Sequence, residues 1–168
     1  MSTQAKKQSG LSWKEVCEDP NLQDLPYKVE TNDRGQIVMS PTYAGHGRFA
    51  FQIAQQLEER LPDGVSSVEA AIRTAKGTKV ADAVWCTSER WAKIKNAYDA
   101  PIAPEICAEV RSPTNTDEEM TEKLRLYLDA GAEEVWICDE EGTLTFYDEE
   151  GEIEASHRVP SFPDRIDL

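Results

Sequence analysis

Two stretches of the 168-residue chain place a carboxylate among apolar, strand-forming neighbours: Asp82 in "KVADAVWC" (79–86) and Glu109 in "PEICAEVRS" (104–112). Side chains alternate between the two faces of a strand. Asp82 is therefore expected to share a face with Val80 and Val84, leaving Ala81, Ala83 and Trp85 to the other. By the same rule Glu105, Cys107, Glu109 and Arg111 line one face of the second run, with Ile106, Ala108 and Val110 opposite. Burying a carboxylate is costly unless a charge, hydrogen bonds or a metal compensates. Two carboxylates on neighbouring strands also repel, and a divalent cation is the simplest remedy. Magnesium or manganese takes hard oxygen ligands and needs only one or two carboxylates, with water and a phosphate completing its shell. The chemistry so served is hydrolysis of a phosphodiester.

Taken singly, each carboxylate has a plainer explanation as half of an ion pair, with Arg111 or Arg73 as the obvious partner. The segment after Glu109 favours a site instead. Glu119, Lys123 and Tyr127 recur at every fourth position of a helical stretch, so they form one stripe along it. On an exposed face Glu119 and Lys123 would be a weak surface ion pair. The strand leads straight into this helix, however, and the turn between them can fold Lys123 back toward Glu109.

The elements that must position these residues follow from local patterns. "SWKEVCED" (12–19) predicts a short helix, with Ser12 and Glu15 spaced as a capping box. "YKVETNDRGQIVMSP" (27–41) predicts a hairpin whose Asn/Asp/Arg/Gly cluster turns and whose second strand stops at Pro41. From about Gly45 to Leu61, Phe49, Ile53, Leu57 and Leu61 recur every four residues, an amphipathic helix ended by Pro62. "SSVEAAIRT" and "KVADAVWC" are strands joined by a tight "AKGTK" connection, and "SERWAKIKNAY" is a helix with Ser88 as its cap. After the Glu109 strand comes the clearest helix, "TNTDEEMTEKLRLYLDAG", with acidic residues in its first turn and Gly131 at its end. Short strands "EEVWICD", "GTLTFYD" and "EIEAS" complete the chain. The fold class expected is α/β, a mixed α+β sheet with flanking helices.

Composition limits what such a molecule does. Hydrophobic residues make up 39% and charged residues 30%, which suits one globular domain over residues 11–168 behind a flexible tail, residues 1–10. No apolar run reaches membrane-spanning length, and the polar opening predicts neither signal peptide nor anchor, so a cytoplasmic protein without membrane contact is expected. Cys17, Cys86, Cys107 and Cys138 are too widely spaced for a zinc site, and the last three sit in strand-like runs as small hydrophobes. The net charge of −14 opposes loose attraction to nucleic acid. From Arg73 to Lys95, however, six basic side chains face two acidic ones, a local +4 that leaves −18 on the rest.

The order "VADAVW", "ICAEVRSPTN", a helical E-x3-K-x3-Y and "GAEEVWICD" resembles the Uma-type restriction endonuclease family, a branch of the PD-(D/E)XK nuclease superfamily. Upstream, "YKVETNDRGQIVMSP" followed by "HGRFAFQ" is similar to that family's amino-terminal pattern, so the resemblance runs from about Tyr27 to Tyr147. It implies a restriction-endonuclease-like core carrying an N-terminal hairpin. It also implies that Asp82 and Glu109 are metal ligands, with the Val110 carbonyl as a further ligand, and that Lys123 orients the attacking water and stabilises phosphate charge. Glu30 resembles an additional acidic position of such sites, and His46 and Gln52 fall at its rim. Two positions depart from the pattern. Ala81 replaces a proline before the aspartate, which leaves the carboxylate chemistry intact. Arg111 stands two residues after Glu109 where a lysine is expected, and a guanidinium cannot act as a general base. The resemblance implies that Lys123 takes over that role.

The expectation is thus a magnesium- or manganese-dependent endodeoxyribonuclease. Arg73, Lys76 and Lys79 would make phosphate contacts, and a homodimer would supply the two sites that double-strand cleavage needs. Tyr127 and Glu119 are accessory through the helix stripe. A rival expectation of another class rests on the −14 charge and on Arg111: a weak or inactive nuclease fold that binds a protein partner through its acidic surface. A third is a nuclease acting on RNA or branched DNA.

Overall fold

In a computed structural model of the protein, residues 10–168 are described. The expected tail lies outside them except for Gly10, which rests against Gly35 at the tip of the hairpin. The chain opens with α1 (Trp13–Glu18), capped by Ser12 in the capping box that its Glu15 completes, and a 3₁₀ turn at Pro20–Leu22. Strands β1 (Tyr27–Thr31) and β2 (Ile37–Pro41) pair antiparallel as a separate two-stranded sheet. Helix α2 (Ala44–Arg60) follows.

The main sheet has six strands in sequence order: β3 (Gly64–Thr74), β4 (Gly77–Thr87), β5 (Ile106–Val110), β6 (Glu134–Cys138), β7 (Leu144–Asp148) and β8 (Gly151–Ile153). Every neighbouring pair is antiparallel except β5 and β6. A parallel pair needs a long crossover, and α4 (Asp117–Asp129) supplies it, while the short α3 (Ser88–Ile94) follows β4. The helix at 88 is shorter than its sequence suggests. Thr87, not Ser88, caps it: the Thr87 hydroxyl accepts from the Arg90 amide at 3.2 Å, and Ser88 donates instead to the Asp63 carbonyl.

Each face of the sheet buries its own apolar cluster. On one, Phe49, Ile53 and Leu57 of α2 pack on Ala83, Trp85, Ile106, Ala108, Val110 and Trp136. The C-terminal segment closes this layer through Val159, Phe162 and Ile166, and Trp136 meets Phe146 edge-on with centroids 4.9 Å apart. On the other face, Ile94 of α3 and Tyr127 of α4 cover Val84, Cys86, Cys107 and Val135. Cys86, Cys107 and Cys138 are buried and Cys17 is exposed, all four as free thiols. Among the described residues no helix is long and apolar enough to cross a membrane.

At Glu30 and Thr31 the hairpin is locked to β4 by three polar contacts. The Thr78 amide donates to Thr31 Oγ1 at 2.8 Å, Lys79 Nζ to the Thr31 carbonyl at 2.7 Å, and the Val80 amide to Glu30 Oε2 at 2.7 Å. Gly77, with φ +87°, makes the close approach possible, since a Cβ there would lie 2.5 Å from the Asn32 carbonyl oxygen.

Helix α4 begins with reciprocal capping: Thr116 Oγ1 accepts from the Glu119 amide at 3.2 Å, and Glu119 Oε2 accepts from the Thr116 amide at 3.0 Å. Thr116→Ala is therefore expected to lower stability by about 1 kcal/mol in urea unfolding. An unchanged midpoint would show that the cap is dispensable.

Candidate active site

Asp82 sits where the sheet's regular pairing breaks. On one side, β3 and β4 pair at Val68↔Ala83 and Ala70↔Ala81, and Glu69 between them takes φ +51°. On the other, the β4–β5 register ends at Ala83↔Ala108, one step before Asp82 and Glu109 would face each other. The Val110 amide, freed from that ladder, donates to Asp82 Oδ2 at 2.7 Å. Strict alternation also fails here. Ala81 was expected beside Ala83 and Trp85, yet it packs in the opposite cluster with Val84 and Cys86. The irregular step at Asp82 and Glu69 accounts for the switch, because alternation holds only while the strand keeps its pleat.

Around this break three carboxylates converge with two lysines, a histidine and a tyrosine. Asp82, Glu109 and Glu30 are 2%, 3% and 4% exposed. Lys28 Nζ donates to Asp82 Oδ1 at 3.0 Å and Glu109 Oε2 at 3.3 Å. Lys123 Nζ donates to Glu30 Oε2 at 3.0 Å and Glu109 Oε2 at 3.4 Å. His46 Nε2 lies 3.3 Å from Asp82 Oδ2, and the Tyr43 ring stands edge-on to the imidazole at 5.8 Å between centroids. The Tyr127 hydroxyl donates to Glu109 Oε1 at 2.5 Å. Five elements contribute: β1, the start of α2, β4, β5 and α4.

The two carboxylates of β4 and β5 are driven apart electrostatically. Burial pushes Glu109 up to about 7, and repulsion from Asp82 adds to it against the pull of Lys123 and Lys28. Burial also acts to raise Asp82, but Lys28 and His46 overcome it and hold Asp82 well below the usual carboxylate range. The hydrogen bond to Asp82 raises His46. Burial lifts Tyr127 far above its ordinary value, with the Glu109 charge acting the same way. One carboxyl is thus held low while its neighbour is raised.

These shifts set a pH dependence for the metal-free fold. The raised Glu109 contributes most below about pH 4.5, and that contribution is lost as pH rises to about 7. The lowered Asp82 works in the opposite sense, contributing above about pH 3.8 and losing it as pH falls. Glu109→Gln is expected to flatten the decline in melting temperature between about pH 4.5 and pH 7. An unaltered slope in thermal scans across that range would place the responsible proton elsewhere.

The match to known proteins covers the whole of this arrangement. The model of a family described as "Uma2: Putative restriction endonuclease" matches residues 19–168. The chain belongs to that family. A crystal structure of a "putative nuclease belonging to DUF820" from Anabaena variabilis shares the fold, with 18% identity, a TM-score of 0.68, and coverage of 84% of this chain and 82% of that one. A search of curated proteins finds no match.

Of the residues singled out in the sequence, this Uma2-family structure brings together Asp82, Glu109, Lys123, Tyr127, Glu30 and His46. The backbone of Val110 adjoins them through its amide. Others lie elsewhere. Arg111, in the slot expected for a lysine, turns away from Glu109 into the β5–α4 turn: Nη1 lies 2.6 Å from Asp117 Oδ1 and Nη2 donates to the Asn115 carbonyl. Glu119 is spent on the α4 cap, and Gln52 Nε2 donates to the Asp167 carbonyl at 3.3 Å. Arg73 pairs with Asp99 at 2.9 Å and Lys76 with Glu122. Neither Arg111 nor Arg73 is thus the partner of the buried carboxylates.

From that segment Lys79 reaches the hairpin beside the cluster, its Nζ donating to the Thr31 carbonyl at 2.7 Å. Burial depresses its ammonium, and the charges of Glu30 and Lys123 reach it. Two further residues were not legible as site residues, Lys28 and Tyr43. Lys28 had a signal: in "YKVET" it stands two positions from Glu30, on the same face of β1, as the alternation rule requires.

Proposed function

We propose that this Uma2-family protein is a divalent-metal-dependent endonuclease that hydrolyses phosphodiester bonds in DNA. The observation that carries the reading is the convergence of Asp82 Oδ1 and Glu109 Oε2 on one cation position, both oxygens lying within 3.3 Å of the same ammonium nitrogen. Two buried carboxylates that already share a cation are a donor set suited to magnesium or manganese. Among the described residues no cluster of three His, Cys, Asp or Glu is gathered to hold a metal. Magnesium needs few protein ligands, and here Asp82, Glu109 and the Val110 carbonyl would hold the ion, with solvent or phosphate completing its shell.

A metal so held would polarise the phosphate and lower the pKa of a bound water. The chain's own residues do the rest. Lys123, anchored between Glu30 and Glu109, presents positive charge beside the attacking position. Glu30 fixes the Lys123 ammonium through a carboxylate that is itself held by the Val80 amide. Tyr127 orients Glu109 from below, and His46 does the same for Asp82. An approach from solvent exists: a cavity of ≈ 660 Å³ between α1, the hairpin and α2 has Asp82, Lys28 and His46 in its lining.

The test is incubation of supercoiled plasmid with the protein in manganese or magnesium chloride and in chelator. Metal-dependent nicking is expected, and linear product would indicate two copies acting on opposite strands. Absence of any metal-dependent product on duplex, branched and single-stranded DNA would reject the reading in favour of a non-catalytic module.

A further inference from the structure

Lys28 makes a set of contacts that no other side chain at the site shares. Lys123 reaches Glu109 but pairs otherwise with Glu30, and His46 reaches only Asp82. Lys28 Nζ touches both proposed metal ligands, at 3.0 Å and 3.3 Å, from a side chain only 13% exposed. It comes from β1 of the hairpin, 54 residues from Asp82 and 81 from Glu109 in the chain.

We propose that Lys28 is a tethered ammonium holding the divalent-cation position between Asp82 and Glu109, and that metal enters by exchanging with it. The inference rests on the reading of those two carboxylates as metal ligands. A hard divalent cation sits about 2.0–2.6 Å from its oxygen ligands, so an ion coordinated by Asp82 Oδ1 and Glu109 Oε2 would compete for the two oxygens to which Lys28 Nζ donates. The divalent charge would repel the ammonium from the oxygens that both require.

The tether allows the exchange. The hairpin is fixed to β4 through the Glu30 and Thr31 side chains and the Thr31 carbonyl, so the strand stays while the Lys28 side chain moves. The lysine stem is flexible and its ammonium is readily hydrated. The ≈ 660 Å³ cavity lined by Lys28 also has Tyr27, Val29 and Phe51 in its walls and gives the released side chain room. The consequence for the metal-free protein is a site that stays folded, since two buried carboxylates keep a counter-charge. The consequence for the metal is competition, so binding is weaker than the two carboxylates alone would give.

Calorimetric titration of the full-length protein with manganese chloride, without DNA, separates these effects. Lys28→Met is expected to bind manganese about tenfold more tightly than the native protein or better, as removal of a competing charge requires. Its metal-free melting temperature should fall, and manganese should raise it by more than it raises that of the native protein. Lys28→Arg keeps a cation and hence the fold. Its planar fork can hold both carboxylates, so it should bind manganese more weakly than the native protein. Asp82→Asn serves as the control for site binding.

Equal or weaker manganese binding by Lys28→Met, with binding still lost in Asp82→Asn, would overturn the exchange and leave the metal site standing. Tighter binding by Lys28→Arg than by the native protein would also overturn it. Absence of any Asp82-dependent manganese binding in both the native and Lys28→Met proteins would reject the metal reading itself and the exchange with it.

Discussion

Asp82→Asn is expected to lower metal-dependent cleavage of plasmid DNA by at least about a thousandfold, equivalent to about 4 kcal/mol of transition-state stabilisation. The substitution keeps the side-chain shape and the Val110 amide contact can survive, since the amide oxygen still accepts. It removes the charge that holds Lys28 and His46 and that is proposed to bind metal. Because Asp82 is held well below its ordinary range mainly by Lys28 and His46 against burial, its loss at neutral pH also removes stability. The metal-free melting temperature should therefore drop together with activity. The decisive measurement is the single-turnover rate at saturating manganese on protein shown by circular dichroism to be folded. A rate within tenfold of the native one would remove Asp82 from the reaction.

Lys123→Met is expected to lower the cleavage rate by about a hundred- to a thousandfold, the range for loss of a positioned charge or proton-transfer group. Its second effect is on stability. Among the described residues Glu30 would keep the Val80 amide as its hydrogen-bond donor once the ammonium 3.0 Å away is gone. Breaking a buried pair is strongly destabilising, but the Lys123 side chain is 18% exposed, so the loss should be nearer 2 kcal/mol than the upper range. The double variant Lys123→Met with Glu30→Gln separates the two roles. It should recover most of the unfolding free energy in urea while the rate stays low. Recovery of both would make Lys123 a structural counter-ion for Glu30 and nothing more.

Arg111 shows how position in sequence and position in space diverge. Two residues after Glu109 it shares that residue's face by alternation, and for that reason it invites comparison with a catalytic lysine. But β5 ends at Val110, so the rule no longer governs Arg111. Its backbone amide still donates to the Cys138 carbonyl at 2.8 Å, while its side chain is drawn to the acidic first turn of α4 at Asp117. The charge that replaces it comes from two other elements: Lys123 one helical crossover downstream, and Lys28 far upstream on the hairpin.

The sequence by itself determined the elements and the strands that carry Asp82 and Glu109, because period-two and period-3.6 patterns, capping residues and turn glycines act within a few residues of one another. It also determined that α4 follows the Glu109 strand closely enough to return Lys123, since chain length limits where that helix can go. Only the tertiary structure decided which charges meet the buried carboxylates. Lys28 enters because the hairpin docks its Glu30 and Thr31 onto β4, and His46 because the first turn of α2 lies over Asp82. It also decided the face of Ala81, since the ladder breaks at Asp82. Long flexible side chains find their partners by the electrostatics of assembled surfaces, and local patterns carry no record of which distant surfaces will be assembled.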